Sequence, residues 1–253
     1  MPALSLLQIT RHCDRLLRVP FFTDFDGAHN GLQVENDGRV TRLAAAVDAS
    51  LATVRLAAAQ KADLLVVHHG LFWSSRVPWT GVQRELIGAL VHHNLAVYSA
   101  HLPLDAHPRL GNNVLLAAAL GLRALRPFYR EKGRAIGVQT RTAISRERLA
   151  ARLAKATGAT PVVLAGGPAV CRRIGVVTGG AGSGLRLAAA EGVDTFITGE
   201  GPHHTHALAA ELGVNVFYGG HYATETFGVK ALAAHLSRKF RVPWCFVDDP
   251  SGL

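Results

Sequence analysis

The stretch that most limits the fold is Leu64-Leu65-Val66-Val67-His68-His69-Gly70. Four large apolar residues in succession predict a strand buried on both faces, as in the parallel part of an α/β sheet. Two imidazoles follow where that strand ends, and Gly70 is a turn residue. Open α/β sheets place their chemistry at the carboxyl ends of strands, so the pair is well positioned for metal. Neighbouring strand residues point to opposite faces. Two adjacent His therefore share one ion only where the strand end bends; otherwise each serves a different ion of a close pair. The plainer alternative is a buried doublet satisfied by backbone hydrogen bonds.

The flanking sequence supports an α/β reading. Residues 42–48 form a strand-like run, Ser50 is placed to cap a helix through Lys61, and the His68 strand follows, which makes a β-α-β unit with a parallel pair. A looser segment, Phe72 to Thr80, precedes a helix over 81–93 with Asn94 as its terminator. A strand over 95–100 ends in His101-Leu102-Pro103-Leu104-Asp105, and a helix runs from Val114 to Leu120. Arg126–Gly133, charged and carrying Pro127, is expected to separate two lobes. The second lobe repeats the alternation, with a glycine-rich turn at Thr178–Gly184 and a last helix starting at His221 after Gly219-Gly220. The fold class expected is α/β: two similar lobes with mixed or parallel sheets, 1–126 and 127–253, together one domain, with the metal site in the cleft between them.

Composition excludes several classes. At 253 residues the chain has ample core. No apolar run approaches the roughly 18 residues that span a bilayer, and the amphipathic N-terminus lacks a signal peptide's apolar block; a cytoplasmic protein without membrane contact is expected. Three cysteines, Cys13, Cys171 and Cys245, far apart and without a CxxC, exclude a disulfide framework and a thiolate zinc site. The net charge of +9 is mostly Arg spread along the chain. Without aromatic residues interleaved among the basic ones, it argues against nucleic acid as the partner and leaves a small-molecule or nucleotide substrate open.

Thirteen histidines are many for this length, and their clustering is informative. His221 and Glu225 stand four apart at a helix start, so both side chains lie on one face and offer N and O ligands from adjacent turns. Asp105 is a carboxylate able to bridge two ions; His101 is either a ligand or a group that orients one. His92-His93, at a helix C-terminus, and His107 read as structural. His68, His69, Asp105, His221 and Glu225 make a sulfur-free set suited to Fe, Zn, Mn, Co or Ni. Five protein ligands are too many for one catalytic ion with an open position, but suit two divalent ions sharing a carboxylate. Glu200 is a candidate proton shuttle, and Asn30, Gln33 and His204 are candidate substrate contacts. The Gly179–Gly184 run lacks the Lys-Ser/Thr of a P-loop and reads as a tight turn before a helix.

These motifs together resemble a known family. Asn30-Gly31-Leu32-Gln33-Val34, Asp63 to Gly70, His101-Leu102-Pro103-Leu104-Asp105 with Gly111-Asn112-Asn113, Thr178–Gly182, Thr198-Gly199-Glu200 and Gly220-His221-Tyr222-Ala223-Thr224-Glu225 occur in the order found in the NIF-three-like dinuclear metal centre family, the type 2 homologues of GTP cyclohydrolase I. The resemblance implies a two-lobed α/β subunit in a homohexameric ring built from dimers. It also implies two metal ions per subunit, on the same five ligands reached from spacing. Many members have Pro where this chain has Gly70. The activity expected is that of a metal-dependent hydrolase acting through a metal-bound hydroxide on a C–N, amide or phosphate centre, GTP ring opening being one case. The alternative is a metal-binding regulator, store or assembly partner without turnover.

Overall fold

The strand expected around Val66 runs Leu64–His69 and is the middle strand of a five-stranded sheet. The computed structural model describes residues 4–73 and 78–253. Residues 1–3, and residues 74–77 of the expected Phe72–Thr80 loop, lie outside the described residues. In chain order the elements are β1 (Leu4–Ser5), α1 (Leu6–Leu17), β2 (Gly31–Val34), β3 (Arg39–Val40), β4 (Leu43–Asp48), α2 (Leu51–Ala59), β5 (Leu64–His69), α3 (Gly81–His92), β6 (Ala96–Ser99), α4 (Leu102–Asp105) and α5 (Asn112–Ala119). They continue with β7 (Arg126–Glu131), β8 (Arg134–Ser145), α6 (Arg146–Thr157), β9 (Val162–Ala165), β10 (Val170–Val176), α7 (Leu185–Ala190), β11 (Thr195–Thr198), α8 (Thr205–Leu212), β12 (Asn215–Tyr218), α9 (His221–Phe240) and β13 (Trp244–Phe246).

The chain divides into two units, residues 1–104 with 228–249 and residues 105–227 with 250–253. In the first, the sheet order is β13-β4-β5-β6-β2, parallel except for β2. Ser50 caps α2 through a reciprocal pair with Thr53, as its position before the apolar run predicts. Alternate residues of β5 serve the two sheet faces: Leu65 and Val67 join Val54, Ala57, Leu86 and Leu90 from α2 and α3 in one buried cluster, while Leu64, Val66 and His68 point the other way. The sheet is buried on both sides, which is why β5 is apolar without alternation.

In the second unit a six-stranded sheet has the order β7-β8-β10-β11-β12-β9, with a parallel core of β10, β11 and β12. Leu116 of α5, Leu120 just after it, and Leu149 and Leu153 of α6 pack on Ile144, Ile174, Ile197 and Phe217. Phe196 is stacked on Tyr129 and edge-on to Phe128.

The α/β class with mixed sheets is as expected, but the divisions are not at 126/127. Residues 126–133, read as a linker because of their charge and Pro127, are β7 and its turn, paired antiparallel with β8; Pro is tolerated there because β7 is an edge strand. Residues 105–125 belong to the second unit because α5 buries its apolar face in that unit's core. β13 pairs with β4, and residues 228–249 belong to the first unit. Asp105 therefore lies in the second unit, with His221 and Glu225.

Candidate metal centre

In the first unit, β5 ends in His68 and His69, and His101 follows β6. One donor atom from each of the three imidazoles lies within 4.8 Å of the others. The rings of His68 and His69 are 4.8 Å apart at their centroids and tilted by 45°. The strand end thus brings together side chains that regular alternation would keep on opposite faces.

Each ring is held at Nδ1 by an oxygen. His68 Nδ1 is 2.9 Å from the Ala100 carbonyl, His69 Nδ1 is 2.7 Å from Asp48 Oδ1, and His101 Nδ1 is 2.8 Å from Asp24 Oδ1. An oxygen acceptor there places hydrogen on Nδ1 and leaves Nε2 to carry the ligating lone pair. Asp24 also accepts from Asn30 Nδ2 and from the Phe25 and Leu102 N–H groups. Burial works against its charge, but His101 and these donors hold its pKa below the ordinary carboxylate value. The Trp73 indole stands edge-on to His101 and His69, with centroids 4.8 and 5.3 Å away, and walls the cluster with apolar surface.

In the second unit, His221 and Glu225 share the first turns of α9, with His221 Nε2 3.2 Å from Glu225 Oε2. Glu200 Oε1 lies 2.7 Å from His221 Nδ1 and orients this fourth ring as Asp24 and Asp48 orient theirs. Burial disfavours charge on His221, but Glu225 and Glu200 outweigh it and raise its pKa to about 9. A metal ion would take the place of that proton. Gly179, at φ +71°, leaves no room for a Cβ, which would collide with Glu225 Oε1. Its carbonyl accepts from Thr198 Oγ1 and from the Gly199 and Glu200 N–H groups, which ties the glycine turn to the end of β11.

Asp105 is buried and accepts from Asn112 Nδ2 at 2.8 Å. Asn113 donates to the carbonyls of Ile136 and Asp105 and accepts from the Thr178 N–H. The Thr178 hydroxyl is buried without a hydrogen-bond partner among the described residues. That orphan next to Gly179, with His221 oriented by Glu200 and the buried Asp105 and Glu225 carboxylates of the same unit, fits a divalent ion.

The remaining sequence-based candidates fall elsewhere. Asn30 is occupied by Asp24 and the His101 N–H, and Gln33 by the His29 carbonyl and the Leu71 N–H. Gly70 is not left-handed; its lack of a side chain gives room to the Gln33 amide. His204 is exposed at the start of α8, as are His203 and His206. His107 accepts from the Arg109 and Leu110 N–H groups, the structural role expected, and His92 and His93 are exposed at the end of α3. Trp73, Asp24 and Asp48 escaped the sequence reading. Asp48 closes a strand, which was a usable signal; Asp24 sits in a turn-rich segment where an acidic residue is unremarkable.

A family model for Duf34/NIF3 (NGG1p interacting factor 3) matches residues 4–251. The chain belongs to this family. It is 47% identical over 251 residues to the GTP cyclohydrolase 1 type 2 homolog of Halobacterium salinarum, covering 96% of this chain and 97% of that protein. To the protein of the same name from Deinococcus radiodurans it is 41% identical over 248 residues, covering 97% and 94%. The crystal structure of TTHA1606 from Thermus thermophilus superposes with a TM-score of 0.91 at 40% identity, over 99% of this chain and 100% of that one. Buried His and Glu groups of this NIF3 family chain can hold metal ions. No helix among the described residues is long and apolar enough to cross a membrane.

Proposed function

We propose that this NIF3 family chain binds two divalent metal ions through His68, His69, Asp105, His221 and Glu225, and hydrolyses a C–N, amide or phosphate centre as a cytoplasmic homohexamer. The observation that carries metal binding is the uniform treatment of the imidazoles: His68, His69, His101 and His221 each have Nδ1 against an oxygen. Four rings tautomer-fixed alike are expected of ligands and not of scattered core histidines. His101 belongs with the donors on this ground.

When bound, a pair of such ions supplies Lewis acidity, acidifying water and neutralising developing negative charge on a substrate oxygen. The chain's own residues orient and exclude. Glu200, Asp24 and Asp48 fix ring directions, Trp73 limits water on the His69–His101 side, and Gly179 gives the Glu225 carboxylate room. Glu200, half exposed, is a positioning residue for His221 and remains the candidate to pass protons to solvent. The relatives' name makes a purine-ring C–N bond one candidate substrate.

One observation favours a second reading, a metal-binding protein without turnover: Asn30 and Gln33, the amides available for substrate, are spent on the chain itself. Elemental analysis of protein purified without chelator tests the metal proposal, with close to two ions per chain expected. A chain that takes up none of Zn, Fe, Mn, Co and Ni overturns it. A substrate screen on the metallated protein then separates the hydrolase from the binding protein.

A further inference from the structure

Two adjoining cavities in the second unit, of about 400 and about 360 Å³, have no lining residue in common with the candidate metal centre. Both are lined by Gly121 and Arg152, so they form one groove beside α6. Arg148 and Lys155 line its two ends, and Thr142 and Ser145 add hydroxyls. Volumes of a few hundred Å³ are those of small-molecule sites.

The charge in this groove is one-sided. Arg148, Arg152 and Lys155 follow at i, i+4 and i+7 on α6 and make one stripe. Like charges at that spacing weaken a helix, and no acidic side chain lines either cavity. Neither Arg148 nor Lys155 makes an ion pair among the described residues. Glu147, the acid nearest in sequence, is engaged with Ser145 and its own backbone. Arg152 is not a loose surface cation. Its Nη1 donates to the Leu120 carbonyl at 2.8 Å, where α5 ends and Gly121 turns with φ +73°. One corner of the planar guanidinium is thus anchored and the other donors remain for a ligand.

We propose that this groove is a phosphate-binding site, taking the phosphate group of a small molecule on Arg148, Arg152 and Lys155. Three cations and two hydroxyls exceed what a single carboxylate needs and suit a phosphate carrying nearly two negative charges at neutral pH. The site is independent of the metal centre and stands whether or not the chain is a hydrolase.

The test is calorimetric titration of metal-loaded protein with inorganic phosphate and, separately, with a nucleoside 5′-monophosphate, at constant ionic strength. The comparison is the double variant Arg148→Glu, Lys155→Glu. Both positions are exposed, and Glu at the third position of α6 completes a capping box with Ser145, so the fold is retained. Saturable binding that weakens at least tenfold in the variant, with metal content unchanged, is expected. Tighter binding of the nucleotide identifies an esterified phosphate; equal binding identifies the free ion. Equal affinity in variant and parent assigns the phosphate to the metal centre and overturns the proposal. Absence of saturation, or binding of only a long polyanion such as duplex DNA, overturns it as well.

Discussion

The Glu225 carboxylate fills the space that a side chain on Gly179 would need. Gly179→Ala is therefore expected to displace the proposed ligand Glu225 without substituting it. The left-handed backbone adds about 1–2 kcal/mol of strain, so the melting temperature should fall by a few degrees and bound metal should fall with it. Calorimetry and elemental analysis on the same sample check this. Full metal content in the variant would separate Gly179 from the site.

Glu200→Gln is expected to weaken metal binding by roughly 10–100-fold, the effect of removing a group that orients a ligating imidazole. Glu225→Gln should cost at least one ion outright. His92→Ala and His93→Ala, on the exposed end of α3, should change nothing. Metal titrations across the four variants check the ranking, and equal content in all of them contradicts the assignment.

Metal should also stabilise the fold. At free metal about 100 times its dissociation constant, mass action contributes about 2.7 kcal/mol. In a chain of this size that raises the melting temperature by about 5–10 °C. Melts with chelator and with restored metal check it.

His12, stacked on His235, has its pKa lowered to about 4 by burial and by Lys239, His235 and Arg15. The unfolded chain takes up this proton near pH 6.5 and the folded chain only near 4. Stability from the neutral ring is thus complete above pH 6.5 and is lost as pH falls through the window from 6.5 to 4. His12→Gln should flatten the fall in melting temperature over that window. An unchanged slope would place the sensitivity elsewhere.

A hexamer is the expected assembly. Phe72, Trp79 and Val82 leave apolar surface exposed. Light scattering that gives a stable 26.9 kDa monomer would contradict it.

β4, β5 and β6 were legible in the sequence because each is buried on two faces and reads as an apolar run. β7 was not, since an edge strand tolerates Pro127 and exposed Arg, the same residues that mark a linker. The proposed ligands could be picked out because imidazoles and carboxylates cluster at element ends. Their supports were less legible: Asp24 is 77 residues from His101, and Glu200 is 21 from His221. Only folding brings those pairs together.

Asn113 carries a consequence for mutational scans. Its Nδ2 serves the Ile136 and Asp105 carbonyls while its Oδ1 receives the Thr178 N–H, so both ends of one amide are read by groups of fixed polarity. Asp has no donor, Leu has neither group and Gln is a methylene too long. Saturation mutagenesis should find this position as intolerant as a ligand although it offers no atom to a metal. Intolerance alone therefore cannot separate the residues that coordinate from those that keep the frame in register.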